Sequence, residues 1–215
     1  MNRIFFTLVL LSLSFIFSCN KSVVENELLV EDTPVKFSDY DNRYYKSMKE
    51  DKFWRIIELS LQRSEGNLKQ QLIELETELL KLSSLEIVQF NNKFIALFNQ
   101  AYHWDIWGAC ETISSGGCGD TYFCDSFLPW LIIQGKTTFQ NAIINPESLA
   151  KLNPQDFFSN EADMESIDSV PNRAHRKKFG HIVPVGINYS FDEKGERWSE
   201  ENLPNKYPKL WEKFN

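Results

Sequence analysis

The sequence has no apolar run long enough to cross a membrane as a helix. Its longest such run, residues 4–17, is 14 residues long and is interrupted by one Thr and two Ser, whereas a spanning helix needs roughly 20 residues. Positive charge is also scarce, since 23 Lys and Arg face 30 Asp and Glu. Because phosphate backbones are bound through clustered Lys and Arg, this balance argues against a nucleic-acid partner.

Signatures of catalysis and metal binding are missing as well. The sequence contains no glycine-rich phosphate loop, no nucleophile elbow and no His-Glu metal motif. Cys110, Cys118 and Cys124 are separated by eight and six residues, unlike the close cysteine pairs of zinc sites. We therefore expect no metal and no cofactor, we assign no catalytic residue, and we favour a protein that is not an enzyme.

The first nineteen residues resemble the export signal of a bacterial lipoprotein. Arg3 supplies a positive start, the apolar run has the length of a signal-peptide core, and the small Ser18 precedes Cys19. In such signals the cysteine is acylated and becomes the new N-terminus after cleavage. We expect residues 1–18 to be removed, and Cys19 to carry palmitate and further acyl chains that anchor the exported protein to a membrane of the cell envelope.

The remaining chain divides into a tether and one domain. Residues 19–46 are polar and acidic around a weak apolar patch, and we interpret them as an acylated tether. Residues 47–215 are long enough for one core and too short for two comfortable domains. Without residues 1–18, the mature chain carries a net charge of about −8.

Helical periodicity dominates the first part of this domain. Two Ser-x-x-Glu sequences, beginning at Ser47 and Ser83, resemble capping boxes. Apolar stripes follow at Phe53, Ile56, Ile57 and Leu61, at Leu68, Leu72, Leu75, Leu79 and Leu82, and at Val88, Phe90, Phe94, Leu97, Phe98 and Ala101. The pattern predicts a mainly α, compact, bundle-like domain.

Later elements are predicted from helix punctuation. We expect a helix over 106–113 with Asp105 at its N-cap, and another over 121–134 that Asp120 caps and Pro129 bends or breaks. Asn145-Pro146 predicts the start of a further short helix. After residue 158 the periodicity fades into a less regular C-terminal tail, with a strand or extended arm over 182–191 and a closing helix over 203–214.

Two smaller features depend on the surroundings of the chain. Export to an oxidising envelope permits a disulfide, and the sequence leaves the pairing of Cys110, Cys118 and Cys124 open. The basic cluster of Arg173, Arg176, Lys177 and Lys178, beside His175 and His181, is interpreted as a solvated loop with Pro171 and Gly180 as breakers.

Several aromatic motifs occur in an order that resembles the domain-of-unknown-function 4240 family. They are Phe53-Trp54-Arg55, residues 101–109 with 116–118, and Trp130-Leu131-Ile132, followed by residues 145–149 and 203–211. The likeness covers residues 50–215 and implies a domain type without an activity. The family usually carries Arg where His103 stands, which argues against a His-dependent mechanism.

A candidate binding groove lies among the third, fourth and fifth predicted helices. Its residues are Trp104, Asp105, Trp107, Cys118, Asp120, Trp130 and Gln134. Aromatic rings there would grip a protein or peptide partner, and the carboxylates would orient it. Tryptophans at helical spacing are, however, more often core residues than contacts.

Two function classes follow from these observations. The favoured one is a membrane-tethered binding or interaction module. The alternative is an envelope hydrolase that uses a thiol or a carboxylate, and an open pocket holding Cys118 and His103 would favour it.

Overall fold

The computed structural model describes residues 42–114, 117–153, 167–184 and 186–215. The predicted signal peptide, Cys19 and the tether as far as residue 41 lie outside the described residues. Most of the described chain is helical, and none of it forms a β-strand beyond one isolated bridge. The predicted mainly helical fold with a less regular C-terminal region is therefore confirmed.

Ten α-helices occur within these described ranges. They are α1 Glu50–Ser64, α2 Leu68–Leu80, α3 Ser84–Ala101, α4 Trp104–Ile113, α5 Asp120–Tyr122, α6 Leu128–Ile133, α7 Lys136–Ile144, α8 Val170–Phe179, α9 Leu203–Lys206 and α10 Pro208–Phe214. Short 3-10 turns occupy Asn42–Tyr45, Pro146–Lys151, Ile167–Ser169 and Glu200–Asn202. The helix predicted after Asn145 is thus a 3-10 turn, which Asn145 caps by accepting from the backbone N–H of Glu147.

The ends of the first three helices follow from local sequence. α1 ends where Glu65 adopts a left-handed φ of 50°. α2 starts after Asn67, whose side chain accepts from the backbone N–H of Gln70. α3 begins with the predicted capping box, in which Ser83 and Glu86 each accept a backbone N–H from the other.

The capping box predicted at Ser47 is wrong. α1 begins after Lys49, and no side chain caps it. The preceding residues are held elsewhere, because Met48 is buried and its N–H donates to the carbonyl of Gln89 at 2.8 Å. Tertiary packing against α3 therefore overrides the local capping signal.

The start of the domain extends slightly into the predicted tether. The amide of Asn92, on α3, donates to the carbonyl oxygens of Tyr44 and Lys46. The Tyr44 side chain also packs on a small apolar cluster formed by Ile87, Val88 and Val183. Residues 44–46 thus contact the helical domain that was predicted to begin at residue 47.

The helix predicted over 121–134 is three consecutive pieces. A π-helical turn, Phe123–Phe127, separates α5 from α6, and the N–H of Leu128 donates to the first carbonyl of that turn. Pro129 follows directly in the first turn of α6. Since proline has no N–H to continue an α-helical ladder, the wider turn precedes it and the helix axis is disturbed there.

The basic segment is a helix, α8, and the predicted loop is wrong. Pro171 stands in its first turn, where its missing N–H costs nothing. α8 packs on α2 and α3 through buried residues that include Ala174 and His175. The apolar face of this helix is short, so the basic residues dominate its sequence and its helical periodicity is hard to recognise.

The largest fully buried side chains are mostly aromatic. They are Trp54, Trp130, Phe53, Phe90, Phe123, Phe127, Phe139, Ile57, Leu75, Leu79 and Ile87. The C-terminal region adds Leu203, Tyr207 and Leu210 to the same core. The closing helix is divided in two because Pro208 begins α10 directly after Tyr207.

Candidate functional site

Five aromatic side chains form a continuous row through the predicted groove. Trp104 stacks on Trp107 with ring centroids 4.9 Å apart, and Trp107 stacks on Phe123 at 4.8 Å. Phe123 is followed by Phe127 at 6.2 Å and Trp130 at 5.7 Å beyond it. The structure therefore brings the three predicted tryptophans into one row, with two phenylalanines that the groove prediction did not include.

Most of this row belongs to the protein interior. Trp130 is 1 % exposed, Trp104 is 9 % exposed, and both phenylalanines are fully buried. Trp107 is only partly buried. Stacked rings at these distances contribute to packing as well as burying apolar area. Trp107 is thus the most exposed member of the row.

Residues 194–207 cover the start of α4. The N–H of Trp104 donates to the carbonyl of Lys194 at 2.9 Å. The guanidinium carbon of Arg197 lies 5.0 Å from the centre of the Trp104 ring, in cation-π geometry. The Tyr207 hydroxyl donates to the carbonyl of Asp105 at 2.9 Å. The C-terminal tail therefore closes one side of the predicted groove.

Asp105 does not cap α4, contrary to the prediction. The helix starts two residues earlier than expected, and Nδ1 of His103 accepts from the N–H of Asp105 at 3.1 Å. The Asp105 carboxylate instead pairs with Nζ of Lys206 at 2.7 Å, and its side chain is 44 % exposed. Asp105 is therefore a surface carboxylate, beside the partly exposed Trp107.

Cys118 lies in a loop that three interactions hold in place. It forms a disulfide with Cys110, with Cα atoms 5.8 Å apart. Its carbonyl accepts from the indole N–H of Trp107 at 2.7 Å, and its N–H donates to a carboxylate oxygen of Glu111 at 3.1 Å. Burial raises the pKa of Glu111, although the hydrogen bond from Cys118 opposes that shift.

The last two predicted groove residues, Asp120 and Gln134, lie at helix boundaries. Asp120 is the first residue of α5, after Gly119, and not its N-cap. Burial, followed by the negative charge of Asp120, raises the pKa of Tyr102 to about 12. Gln134 follows α6, and its N–H donates to the carbonyl of Trp130 at 3.2 Å. Gln134 thus stands beyond the Trp130 end of the row.

Sequence reasoning missed a shallow recess next to this row, with room for about 10 Å³. Its lining residues are Phe98, Cys124, Asp125, Pro129, Asp168, Tyr189 and Phe191. Tyr189 packs edge-on against Phe98 with ring centroids 4.8 Å apart. Burial raises the pKa of Tyr189, and the charges of Asp168 and Asp125 raise it further. A local signal that could have pointed to it is the Tyr189-Ser190-Phe191 alternation inside the predicted arm over 182–191.

The candidate nucleophile and base of this region, Cys118 and His103, already have structural roles. Cys118 is 2 % exposed and bonded to Cys110, so it is not a free thiol. His103 serves as a helix cap, and its ring also lies against Gly195. Among the described residues, no cluster of three His, Cys, Asp or Glu side chains has the geometry to bind a metal ion. The arrangement suits contact with a partner better than thiol chemistry.

Comparisons with known proteins identify a domain family. The family model described as "Protein of unknown function (DUF4240)" matches residues 48–177. The match includes the aromatic row and ends within α8. Comparison with curated proteins and with solved structures gives no match. Within the described part of the chain, no helix combines the length and the apolar character that crossing a membrane requires.

Proposed function

We propose that this chain, which belongs to the DUF4240 family, is a lipid-tethered binding module of the bacterial cell envelope. The lipid would be attached at Cys19, and the helical domain would contact a protein or peptide partner. The proposal has two parts: a membrane localisation (the address), inferred from residues 1–19, and a contact surface on the helical domain. Each part has its own support and its own experiment.

The address is supported first by the sequence around Cys19. A positive start, a 14-residue apolar run and a small residue before the cysteine are the parts that export and acylation need. A single acyl chain binds membranes only marginally, so the multiple acylation that a lipobox implies accounts for stable anchoring.

Within the domain, the disulfide between Cys110 and Cys118 is the main support for localisation to the envelope. Disulfides persist in oxidising compartments and are rare in the cytosol. Both cysteines are buried in the core, and the bond joins α4 to the loop before α5. A domain that keeps this bond is suited to the envelope.

Binding is favoured over hydrolysis because the candidate thiol is already used. An acyl-transfer nucleophile must be free and within reach of a base, and Cys118 is neither exposed nor reduced in this fold. Among the carboxylates near Cys118, Glu111 is almost fully buried and already accepts a hydrogen bond from the Cys118 loop. Asp105 and Trp107 are then the candidate contact residues, since both are partly exposed and lie close together on α4.

Membrane fractionation tests the address. Cys19→Ser should abolish incorporation of a palmitate analogue and move the protein from the detergent phase to the aqueous phase, or leave the signal uncleaved. Ser18→Ala is the matched control, because it keeps a small residue before the cysteine and should change neither result. Normal processing with unchanged detergent partition of Cys19→Ser would overturn the lipoprotein assignment.

Chemical cross-linking in intact cells tests the contact surface. We expect one envelope protein to be captured by the wild type and lost with Asp105→Lys, while Lys209→Glu, on α10, retains it. Capture that is the same for both variants would exclude the surface around Asp105. Ester or peptide hydrolysis by the purified chain, abolished by Glu111→Gln, would instead support the hydrolase alternative.

A further inference from the structure

A basic and apolar patch lies at the C-terminal end of α8. We define the basic patch as Arg176, Lys177, Lys178, Phe179, His181 and Ile182, all of which are exposed. Phe179 and Ile182 have 37 % and 52 % of their surface in contact with solvent. Cations and apolar groups thus share one edge of an otherwise acidic protein.

The patch is a built feature of the fold. Nζ of Lys178 donates to the carbonyl oxygens of Leu80 and Leu82 at 2.8 and 2.7 Å. Gly180, with a φ of 87°, ends α8 in a left-handed turn that brings the following residues back beside the helix. The basic patch therefore keeps a fixed shape at the junction of α2, α3 and α8.

A buried histidine holds the end of the patch. Nδ1 of His175 lies 2.8 Å from the carbonyl of His181, which can only accept, so Nδ1 carries the hydrogen. The other ring nitrogen then accepts from the hydroxyl of Ser84 at 2.8 Å. Burial lowers the pKa of His175, which keeps this neutral arrangement at neutral pH.

Local charge is positive despite the overall balance. Within α8, Arg173, Arg176, Lys177 and Lys178 are opposed by Glu76 of α2, which pairs with Lys177 at 3.1 Å and with Arg173 at 3.4 Å. Within the basic patch itself, Arg176, Lys177 and Lys178 carry three positive charges, and Glu76 pairs with Lys177. The patch is thus complementary to an anionic surface and unlike the rest of the chain.

The place where the tether joins the domain lies beside this patch. Val183, the residue after Ile182, packs against Ile87 and Val88 together with the ring of Tyr44. The 22 residues between Cys19 and Asn42 span at most about 75 Å even when fully extended. An acylated Cys19 therefore leaves the basic patch within reach of the membrane to which the tether is anchored.

We propose that the basic patch docks on the anionic phospholipid headgroups of the anchoring membrane, with Phe179 and Ile182 entering the interface and the cations contacting phosphates. Lipid chains combined with a basic surface give firmer attachment than either element alone. This inference rests on the proposed lipoprotein function only for the identity of the membrane that the patch contacts. Docking also turns the patch toward the membrane, so that the domain has a fixed orientation there.

Vesicle flotation with the full mature chain carrying Cys19→Ser tests the docking without any contribution from acylation. The probes are vesicles of phosphatidylcholine alone and vesicles with 30 % phosphatidylglycerol, a composition on the order of the anionic content of natural membranes. We expect binding to the anionic vesicles at least about tenfold tighter than to the neutral ones, and a loss of most of it in about 0.5 M salt because screening is then strong.

Two pairs of variants assign the binding to the patch. Arg176→Glu should weaken it by about fivefold or more, and Ile182→Ser should weaken it as well. Lys209→Glu is the control for Arg176→Glu, because it makes the same change of charge. Ile144→Ser is the control for Ile182→Ser, because the Ile144 side chain is 83 % exposed. Both controls should bind like the parent. All four should retain the parent's thermal melting curve.

The outcomes separate this inference from the lipoprotein proposal. Absence of binding to anionic vesicles would overturn the docking, whereas the fractionation result for Cys19→Ser in cells would stand independently. Equal binding to both vesicles, or equal losses in patch and control variants, would also overturn it. If Arg176→Glu abolished cross-linking to a protein and left vesicle binding intact, the patch would be a protein interface and the docking would be wrong.

Discussion

The carboxylate of Glu111 accepts a hydrogen bond from the backbone N–H of Cys118 at 3.1 Å. Burial of Glu111, reinforced by the negative charge of Glu200, outweighs this bond and raises the pKa of its carboxyl group. Glu111 thus fixes the disulfide-bearing loop, and folding makes protonation of its carboxyl group easier than in the unfolded chain.

Replacing Glu111 by Gln should make stability less dependent on pH. A carboxyl whose pKa is raised by folding contributes its full stability below the unfolded pKa, and this contribution is lost as pH rises through the folded pKa. The free energy of unfolding of the wild type should therefore fall relative to Glu111→Gln as pH rises from 4 to 8. Urea denaturation across this range measures the difference.

Glu212→Gln is the control, because Glu212 is exposed on α10 and its replacement should leave the pH profile unchanged. A constant difference between wild type and Glu111→Gln at all pH values would contradict the burial of an ionisable group at this position.

The disulfide should make a measurable contribution to stability. Cys110 and Cys118 are eight residues apart, and closing a loop of this size in the unfolded chain corresponds to about 2 to 3 kcal/mol. Replacing both cysteines by Ser should lower the free energy of unfolding by this amount, as measured by urea denaturation. Peptide mapping without reduction provides the direct check, since recovery of Cys110 and Cys118 in separate alkylated peptides would contradict the pairing.

The sequence predicted elements wherever one local signal dominated. The capping box at Ser83, the helical turn that starts at Asn145-Pro146 and the amphipathic stripes of the first three helices needed no tertiary information. The box at Ser47 failed because Met48 bonds to Gln89 on another helix, which no local pattern records. The loop predicted over the basic segment was wrong for a related reason. The segment is helical because its apolar face packs against α2 and α3, and no local pattern records that contact.

Only part of the candidate site was predicted, because only part of it is encoded by local sequence spacing. Spacing on α4 and α6 pointed to the three tryptophans, which do share one aromatic row. The cover over Trp104 comes from residues about ninety positions later in the chain. Contacts between such distant segments leave almost no periodic trace in a single sequence, and so the cover and the recess at Tyr189 were missed.

Asp105 and Trp107 should differ sharply in their contribution to folding. Trp107 stacks between two rings and donates to Cys118, so Trp107→Ala should cost about 3 kcal/mol of stability. The pair between Asp105 and Lys206 is partly exposed, so Asp105→Asn should cost less than about 1 kcal/mol. Thermal denaturation of both variants measures this. Equal melting temperatures would show that the Trp107 ring is not part of the packed row.

Gly108 should be intolerant of any side chain. A Cβ atom at this position would lie 2.6 Å from Cδ1 of Trp198 and 2.8 Å from the hydroxyl oxygen of Tyr207. Both rings belong to the C-terminal tail that packs on α4. Gly108→Ala should therefore displace the tail, lower stability by about 1 to 3 kcal/mol and accelerate tryptic cleavage after Lys194 and Arg197.

Gly119→Ala is the matched control for this last prediction. A Cβ atom at Gly119 would meet no other atom within 4 Å, and the φ of −63° suits alanine. The control should lower stability by at most about 1 kcal/mol, because alanine is a poorer N-cap than glycine, and it should resist trypsin like the wild type. If Gly108→Ala behaved in the same way, the tail would not be seated on α4, and the start of that helix would be open to a partner.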